Sequence, residues 1–341
     1  MNAPIRQPQP TRSPAEAPPC EPAHVRIDFT VGSRRLASFR RELTSWRFAL
    51  GDVLALTSGD APRAAQAKLV PPAPGPEGWR VLSAPQVCLP AIEAQTGGYL
   101  QGSRQDYPRH YIDMAGAQPG GASDFEAYMA RFSGKTRSTL RRKARKLERE
   151  ASGIAISEHR TPAEIEDFLD HALPLSARTY QARLLDAGLP SSPQARRAMM
   201  EAAEAGKMRC FLLHAGRAGA RRAIAYLSLP VEGRVLVYAH LGYDPDWARL
   251  SPGTVLQMEA LERLYAESAF THFDFTEGDG AHKAMFATHS VPCASFVMLR
   301  PSPANRALLG ARGAFDEAVA GAKALAERSG ILARARLVLR A

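Results

Sequence analysis

The pattern of apolar and polar positions between residues 206 and 300 predicts strands that surround one long helix. Three apolar runs are separated by glycine-containing turns, which is typical of an antiparallel meander. These runs lie at residues 208–214, 223–230 and 234–241. A helix is predicted after Ser251, because Pro252 suits a first helical position and apolar residues then recur at helical spacing. A short strand around Phe273 and a final strand over residues 292–299 complete the region.

Helical periodicity dominates residues 125–206. One strongly basic helix has a single narrow apolar face, formed by Leu140, Ala144, Leu147 and Ala151. Thr161 and Glu164 have the spacing of a capping box, and the helix that they open is predicted to end before Pro174. A third helix is predicted over residues 193–206. A fourth, amphipathic helix is predicted over residues 303–328.

The N-terminal third is less regular. Residues 24–31 alternate like a strand, and strands are also predicted at residues 79–82 and 110–114. Between these segments, helical spacing predicts a helix on the positions Leu36, Phe39, Leu43 and Trp46. Residues 1–22 contain seven prolines and almost no apolar residues, so they are predicted to be a disordered leader.

This mixture of strands and helices predicts an α/β (α+β) fold in two domains. The boundaries follow the composition, because glycine and proline cluster near residue 120. The predicted segments are a leader at 1–22, a small α/β domain at 23–120, a second domain at 121–300, and a C-terminal helix with a basic tail at 301–341.

Composition narrows the class of protein. The chain has 341 residues, of which 45% are apolar and 23% charged, as in globular proteins. It has no apolar run of about 18 residues and no apolar N-terminal stretch, so neither a membrane span nor a secretory signal is expected. Four cysteines without metal-ligand spacing indicate reduced thiols, no metal site and a cytoplasmic location.

The net charge of +10 is concentrated in one helix. Residues 131–149 contain nine Lys or Arg residues and one acid, Glu148. Three interpretations remain open for this segment: a solvated helix packed on its leucine face, a docking site for a phosphate group at residues 135–149, or a nucleic-acid contact. The absence of interleaved aromatic residues makes nucleic acid the least favoured of the three.

Residues that could bind a ligand or act in catalysis follow two of the predicted strands. After Phe273 the chain carries a cluster of ionisable side chains, namely Asp274, Glu277, Asp279, His282 and Lys283. Ligands gather at the carboxyl ends of strands in parallel βα units. The helix that follows Ser251 offers free N–H groups to a phosphate or pyrophosphate, although an ordinary capped βα turn has the same sequence features.

Residues 125–300 resemble the GNAT superfamily of N-acyltransferases, in the branch associated with cellulose and exopolysaccharide biosynthesis and related to the FemABX peptidyltransferases. The resemblance is carried by residues 241–245 (Leu-Gly-Tyr-Asp-Pro), 251–254 (Ser-Pro-Gly-Thr), Asp274, Gly278, Asp279 and Lys283, and by the segments 133–143 and 177–181. It implies the GNAT fold, a mixed central sheet flanked by helices. It also leaves open whether residues 23–120 are a second, degenerate GNAT-like half.

The resemblance assigns residues to two binding functions. An acyl-CoA pyrophosphate is expected at Arg249, Ser251, Pro252, Gly253 and Thr254. An acceptor is expected at Arg178, Tyr180 and Gln181, which are otherwise surface residues. The glycine of the pyrophosphate loop comes one position late here, and His282 replaces the aromatic residue that commonly precedes the lysine. The late glycine concerns whether the loop binds acyl-CoA, and His282 concerns where the side chain of Lys283 lies.

Acyl transfer to an amine requires a base, because keeping an amine of pKa near 10.4 neutral at pH 7 costs about 4–5 kcal/mol. The candidate bases are Glu277, Asp279 and His240, whereas Asp274 is expected to be structural. Lys283 is the candidate for stabilising charge on the reacting carbonyl, unless it is an ordinary surface lysine. Tyr243 is either the acid for the departing thiolate or a packing residue.

The sequence therefore predicts an N-acyltransferase that moves an acetyl group from acetyl-CoA to an amine of a small or carrier-linked acceptor, by direct transfer and without a metal. Two alternatives remain. One is a FemABX-like transferase that uses aminoacyl-tRNA, the single case in which nucleic acid is an expected partner. The other is a non-catalytic GNAT-fold protein that binds anionic ligands through the basic helix.

Overall fold

The computed structural model describes residues 23–31, 34–58, 69–115, 125–179 and 188–328, and in these ranges eleven strands form one mixed sheet. Alternate residues of its strands face different helices. Phe211 and Leu213 face one apolar cluster, whereas Cys210 and Leu212 face another. Helices therefore cover both faces of this part of the sheet, which confirms the predicted α/β class.

The N-terminal elements are mostly strands. They are β1 (Ala23–Val31), β2 (Arg34–Arg47), α1 (Leu50–Thr57), β3 (Gly78–Pro85), a 3₁₀ turn (Gln86–Cys88), α2 (Leu89–Gln95) and β4 (Leu100–Asp113). The helix predicted on Leu36 to Trp46 is wrong, because this segment is strand β2. It pairs antiparallel with β1 and, over its last residues, parallel with β3. Its apolar residues recur at a spacing that resembles a helix, and pairing with two neighbouring strands decides the conformation.

The next segment is largely helical. It contains α3 (Phe125–Ala130), α4 (Gly134–Glu150), β5 (Ile154–His159), α5 (Pro162–Arg178) and α6 (Pro193–Glu204). The capping box at Thr161 is confirmed. The predicted end before Pro174 is wrong, because α5 continues through this proline to Arg178. Residues on both sides of Pro174, from Ile165 to Leu175, pack in one apolar cluster, so burial outweighs the lost backbone hydrogen bond.

The C-terminal elements surround a strand that is interrupted. They are β6 (Met208–Ala215), β7 (Arg222–Glu232), β8 (Val235–Val237), β9 (His240–Tyr243), a 3₁₀ turn (Pro245–Leu250), α7 (Pro252–Glu267), β10 (His272–Asp274), α8 (Ala281–Phe286), β11 (His289–Leu299) and α9 (Pro303–Arg328). The predicted meander is confirmed, but its third strand is divided into β8 and β9. Both parts pair with β7, at different points along it.

The strand order joins the two ends of the chain. It is β1-β2-β3-β11-β4-β10-β8-β7-β6-β5, with β9 paired to β7. Strand β4 lies between β10 and β11, antiparallel to both. Residues 100–113 therefore complete the sheet on which the second half of the chain is built. The domain boundary near residue 120 stays a prediction.

Some predictions fall outside the described residues. These are the disordered leader at 1–22, the acceptor contacts of Tyr180 and Gln181, and the basic tail beyond residue 330. Within the described ranges, no helix is long and apolar enough to cross a bilayer.

Candidate active site

The central sheet opens where β8 continues into β9. Strands β8 and β10 pair in parallel as far as Val237 and Asp274, and the N–H of Tyr238 donates to the carbonyl of Asp274 at 2.9 Å. Beyond this point β9 stays with β7, whereas the N–H of Phe275 donates to the carbonyl of His110 at 3.0 Å. In this described region no backbone hydrogen bond joins residues 239–243 to residues 275–279. The strands therefore separate and leave a free edge along β9.

Helix α7 begins beside this opening. Ser251 precedes the helix as predicted, but its side chain makes no capping bond, since its backbone is left-handed with φ of 54°. Its carbonyl accepts the N–H groups of Thr254 and Val255. Pro252 has no N–H, so the N–H of Gly253 is the first amide of the helix, and it has no partner among the described residues. This amide is available to an anion.

Gly253 is also closely packed. A Cβ atom at this position would lie 2.8 Å from Cδ2 of Leu241 and 3.2 Å from Cδ1 of Tyr243. The end of β9 thus lies directly on the first turn of α7, and the half-exposed ring of Tyr243 borders the free amide. A larger side chain at Gly253 would disturb this packing as well as any ligand.

Three of the predicted catalytic residues, Glu277, Asp279 and Lys283, lie together in the loop after β10 and the first turn of α8, called here the acid–base loop (residues 275–283). Lys283 donates to the backbone carbonyl of Glu277, and Asp279 bonds Nε2 of His110 at 2.9 Å. Desolvation lowers the pKa of Lys283, while the carboxylates of Asp274, Glu277 and Asp279 act against this change. The hydrogen bond from His110 lowers the pKa of Asp279, which makes Asp279 a weaker base.

A buried ion pair supports this loop. Arg109 binds Asp274 through Nε at 3.1 Å and Nη2 at 2.5 Å, and both side chains are 1% exposed. Its Nη1 donates to the carbonyl of Phe48 at 2.7 Å. Oδ1 of Asp274, which accepts from Nε of Arg109, also accepts the N–H of Thr276 at 2.9 Å. The expectation that Asp274 is structural agrees with these contacts.

A chain of hydroxyl groups reaches Glu277. Ser83 Oγ lies 3.3 Å from Oε1 of Glu277 and 3.0 Å from the hydroxyl of Tyr107. This hydroxyl lies 2.8 Å from Oγ of Ser295, which also accepts the N–H of Ser83 at 3.0 Å. Sequence reasoning missed Arg109, His110, Ser83, Tyr107 and Ser295. The sequence offered no local signal for them, since β4 is rich in polar residues along its length and these residues meet only through strand pairing.

His240 lies on β9, on the other border of the opening. Its backbone pairs with Ser228, and burial of the ring lowers its pKa. The ring is therefore neutral at pH 7 and can accept a proton. His240 and Glu277 are the two bases that the arrangement leaves available, one on each side of the opening.

The remaining predicted residues lie away from the acid–base loop. Arg178 binds Asp244 and Asp246 of the turn before α7, at 3.0 and 2.9 Å. Arg249, which is exposed, binds Glu150 at the end of α4 at 2.5 Å. Both arginines thus hold the segment that leads into α7. Whether they contact substrates stays a prediction.

The basic helix α4 packs against α7 and reaches α8. Leu140 and Leu147 of α4 share an apolar cluster with Val255 and Leu256 of α7. His282, whose Nε2 lies 2.7 Å from Oε1 of the buried Gln257, has its pKa lowered by desolvation and by the charges of Lys143 and Lys283. The cations of α4 therefore border the same site. Within the described residues, no group of three His, Cys, Asp or Glu side chains is arranged to hold a metal.

Comparison with known proteins finds one matching family and several similar solved structures. Residues 134–284 match the family described as acetyltransferase (GNAT) domain. Among solved structures, FemX is 10% identical and covers 82% of this chain and 89% of its own, with a TM-score of 0.45. L-PGS from Bacillus licheniformis is 13% identical over 69% of this chain and 72% of its own (TM-score 0.43), and a GCN5-related N-acetyltransferase from Kribbella flavida is 12% identical over 78% and 81% (TM-score 0.34).

No protein with a curated description matches the sequence. The family match covers α4 to α8, which includes the open edge of β9, the start of α7 and Lys283. The predicted GNAT resemblance is confirmed for residues 134–284, which match the acetyltransferase (GNAT) domain family.

Proposed function

We propose that this domain transfers an acetyl group from acetyl-CoA to an amine of a small or carrier-linked acceptor, by direct transfer in a ternary complex. The observation that carries the proposal is the separation of β9 from β10 beside the first turn of α7. This arrangement offers a slot with one unpaired strand edge and a free helix amide at its end. An amide-containing chain that ends in a pyrophosphate is complementary to both features.

The donor would be held by backbone groups. Unpaired N–H and C=O groups along β9 would bond the amides of the pantetheine arm. The amide of Gly253 and the positive end of the α7 dipole would bind the pyrophosphate. Acetyl-CoA itself supplies the activated carbonyl. Tyr243 borders Gly253, at the pyrophosphate end of this slot, whereas the thioester would lie at the other end of the pantetheine arm, so this arrangement favours a packing role for Tyr243 over that of an acid for the departing thiol.

The acid–base loop would act on the amine and the carbonyl. Glu277 is exposed, and its carboxylate is held by Ser83, so it can receive a proton from an approaching amine. Lys283 is fixed by the carbonyl of Glu277 and is partly desolvated. A cation held in such a site stabilises negative charge that develops on the reacting oxygen. No covalent enzyme intermediate is required.

Acetyl-CoA is expected to raise the melting temperature of the protein. At about 100 times its Kd, a ligand adds about 2.7 kcal/mol of stability, which corresponds to roughly 4 °C for a chain of this size. The shift should disappear in Thr254→Asp. An acid in the first turn favours the free helix but repels a pyrophosphate, so this variant separates ligand repulsion from damage to the fold. Thermal unfolding by circular dichroism measures both effects.

The matched control is Ala195→Asp, which places the same acid at the same position of α6, after a serine cap and a first-position proline. This variant should keep the full shift with acetyl-CoA. An unchanged melting temperature in the wild type, or an equal shift in Thr254→Asp, would rule out the donor site proposed at α7.

An aminoacyl-tRNA donor is the second candidate, and the position of α4 favours it. Among the described residues, Arg141, Arg142 and Lys143 form no ion pair, and they lie on the helix that borders the site. If tRNA binds there, the logarithm of its affinity falls linearly with the logarithm of salt concentration. Charge reversal of Arg142 and Lys143 should flatten this slope by about two, whereas reversal of the exposed Lys207 should leave it unchanged. Filter binding with total tRNA, from low to physiological salt, distinguishes the two donors.

A further inference from the structure

We propose that the hydroxyl groups of Ser83, Tyr107 and Ser295 form a proton relay from Glu277 to a polar cavity beside β1. The inference rests on the proposed acyl transfer, in which Glu277 receives the proton of the amine. Transfer from a thioester to an ammonium group forms a C–N bond, breaks a C–S bond and returns one proton to the thiolate. A second proton must leave the site.

The hydrogen bonds fix the direction of each hydroxyl group. An ionised Glu277 only accepts, so Ser83 donates its proton to it. The hydroxyl of Tyr107 therefore donates to Ser83, and Ser295 donates to Tyr107. Oγ of Ser295 also accepts the backbone N–H of Ser83, so the three residues form a closed ring of hydrogen bonds. Three hydroxyl groups point towards one carboxylate, and each polarises the next.

Proton release reverses this direction. The O–H bond of the protonated Glu277 breaks as Ser83 Oγ gains the proton, and the proton of Ser83 moves to Tyr107. The proton of Tyr107 moves to Ser295, which passes its own proton to water. The three O–H bonds rotate away from Glu277 before the transfer. Each hydroxyl then gains one proton and loses one, so the chain stays neutral, and the transferred protons leave the three O–H bonds pointing towards Glu277 as in the first state.

The relay needs neutral hydroxyl groups and an exit. Burial raises the pKa of Tyr107, which keeps its phenol protonated. Burial also raises the pKa of the neighbouring Cys293 to about 12, so this thiol does not compete as a proton acceptor. Ser295 lines a cavity of about 530 Å³ that is also lined by His24 and Asp28, whose polar side chains can bond the water that receives the proton. Glu277 is exposed in the free protein, but an acceptor seated on it would cover it.

Nuclear magnetic resonance tests the coupling without any substrate. The chain has nine tyrosines, and ¹³C labelling at Cζ reports whether each hydroxyl donates or accepts. The Tyr107 signal, assigned by its loss in Tyr107→Phe, is expected to shift with the same midpoint as the carboxyl signal of Glu277. This shift of the Tyr107 signal should be absent in both Glu277→Gln and Ser83→Ala. Tyr111, on the same strand, should not follow Glu277. A Tyr107 signal that ignores Glu277 would overturn the relay.

Enzyme kinetics test whether the relay carries a proton during acyl transfer. With an amine found by screening, Tyr107→Phe should lower kcat about tenfold and leave the KM for acetyl-CoA unchanged, because Ser83 still orients Glu277. The solvent deuterium isotope effect should change in this variant and not in Tyr111→Phe. A Tyr107→Phe enzyme with wild-type kcat across the pH range would overturn the relay. A wild-type protein that acylates no amine would instead refute the proposed function. The NMR experiment would still show whether the three hydroxyl groups reverse their hydrogen bonds when Glu277 is protonated.

Discussion

Replacing Arg109 by leucine is expected to lower the free energy of unfolding by about 3–5 kcal/mol. The loss follows from burial, since the change leaves Asp274 as an unpaired carboxylate that is 1% exposed. It also removes the bond to the carbonyl of Phe48. The single side chain of Arg109 thus joins β4, β10 and the segment that leads into α1. Urea unfolding followed by tryptophan fluorescence measures the difference.

Two further variants make this experiment specific. Arg104→Leu removes an exposed ion pair with Asp106 on the same strand and should cost under about 1 kcal/mol. The double variant Arg109→Leu, Asp274→Leu should recover part of the loss, because no charge remains buried. An equal cost for Arg104→Leu and Arg109→Leu would show that burial is not the source of the effect. A double variant less stable than Arg109→Leu would argue that the ion pair itself is strongly stabilising.

Lys283→Met is expected to lower kcat about 100- to 1,000-fold, a loss typical of removing one group that stabilises a reacting oxygen. Methionine keeps the length of the side chain but not its charge, and among the described residues the lysine ammonium donates to the carbonyl of Glu277. The thermal shift with acetyl-CoA should persist, since Lys283 lies on α8 and the proposed pyrophosphate site on α7. Initial rates of CoA release with the screened amine measure the change.

The same residue predicts the alkaline limb of the pH profile. Desolvation lowers the pKa of Lys283 below its usual value, so its charge, and with it kcat, should fall as pH rises through this lowered pKa. Lys207→Met, at an exposed position, should leave both rate and profile unchanged. A Lys283→Met variant with wild-type kcat would remove Lys283 from the catalytic residues and leave the oxyanion to backbone amides.

The parts of the fold that were predicted correctly depend on local signals. The capping box of Thr161 and the proline at the start of α7 act within one turn, and glycine turns separate β6 from β7. Local patterns gave wrong predictions for β2 and for the helix that contains Pro174, because tertiary packing outweighs local preference there. The division of β8 from β9 had no local signal, because it follows from the separation of β9 and β10.

The candidate site was only partly predictable for the same reason. Glu277, Asp279 and Lys283 are close in the sequence, and their cluster could be recognised directly. Their partners are distant in the chain. Ser83, Tyr107 and Arg109 meet the loop because β3 and β4 join the sheet next to β11 and β10. Spacing within one strand does not show which strands will lie beside it or which residues will pair, so these contacts could not be predicted from the sequence.

The position of β11 has a consequence for synthesis of the chain. β11 lies between β3 and β4, although both are made long before it. At about 5–20 residues per second, the ribosome needs on the order of ten seconds to make the intervening GNAT domain. During this time β3 and β4 have no partner on their facing edges, and exposed edges of this kind favour aggregation. We therefore expect the N-terminal segment to remain vulnerable to aggregation until β11 emerges and pairs with its two strands.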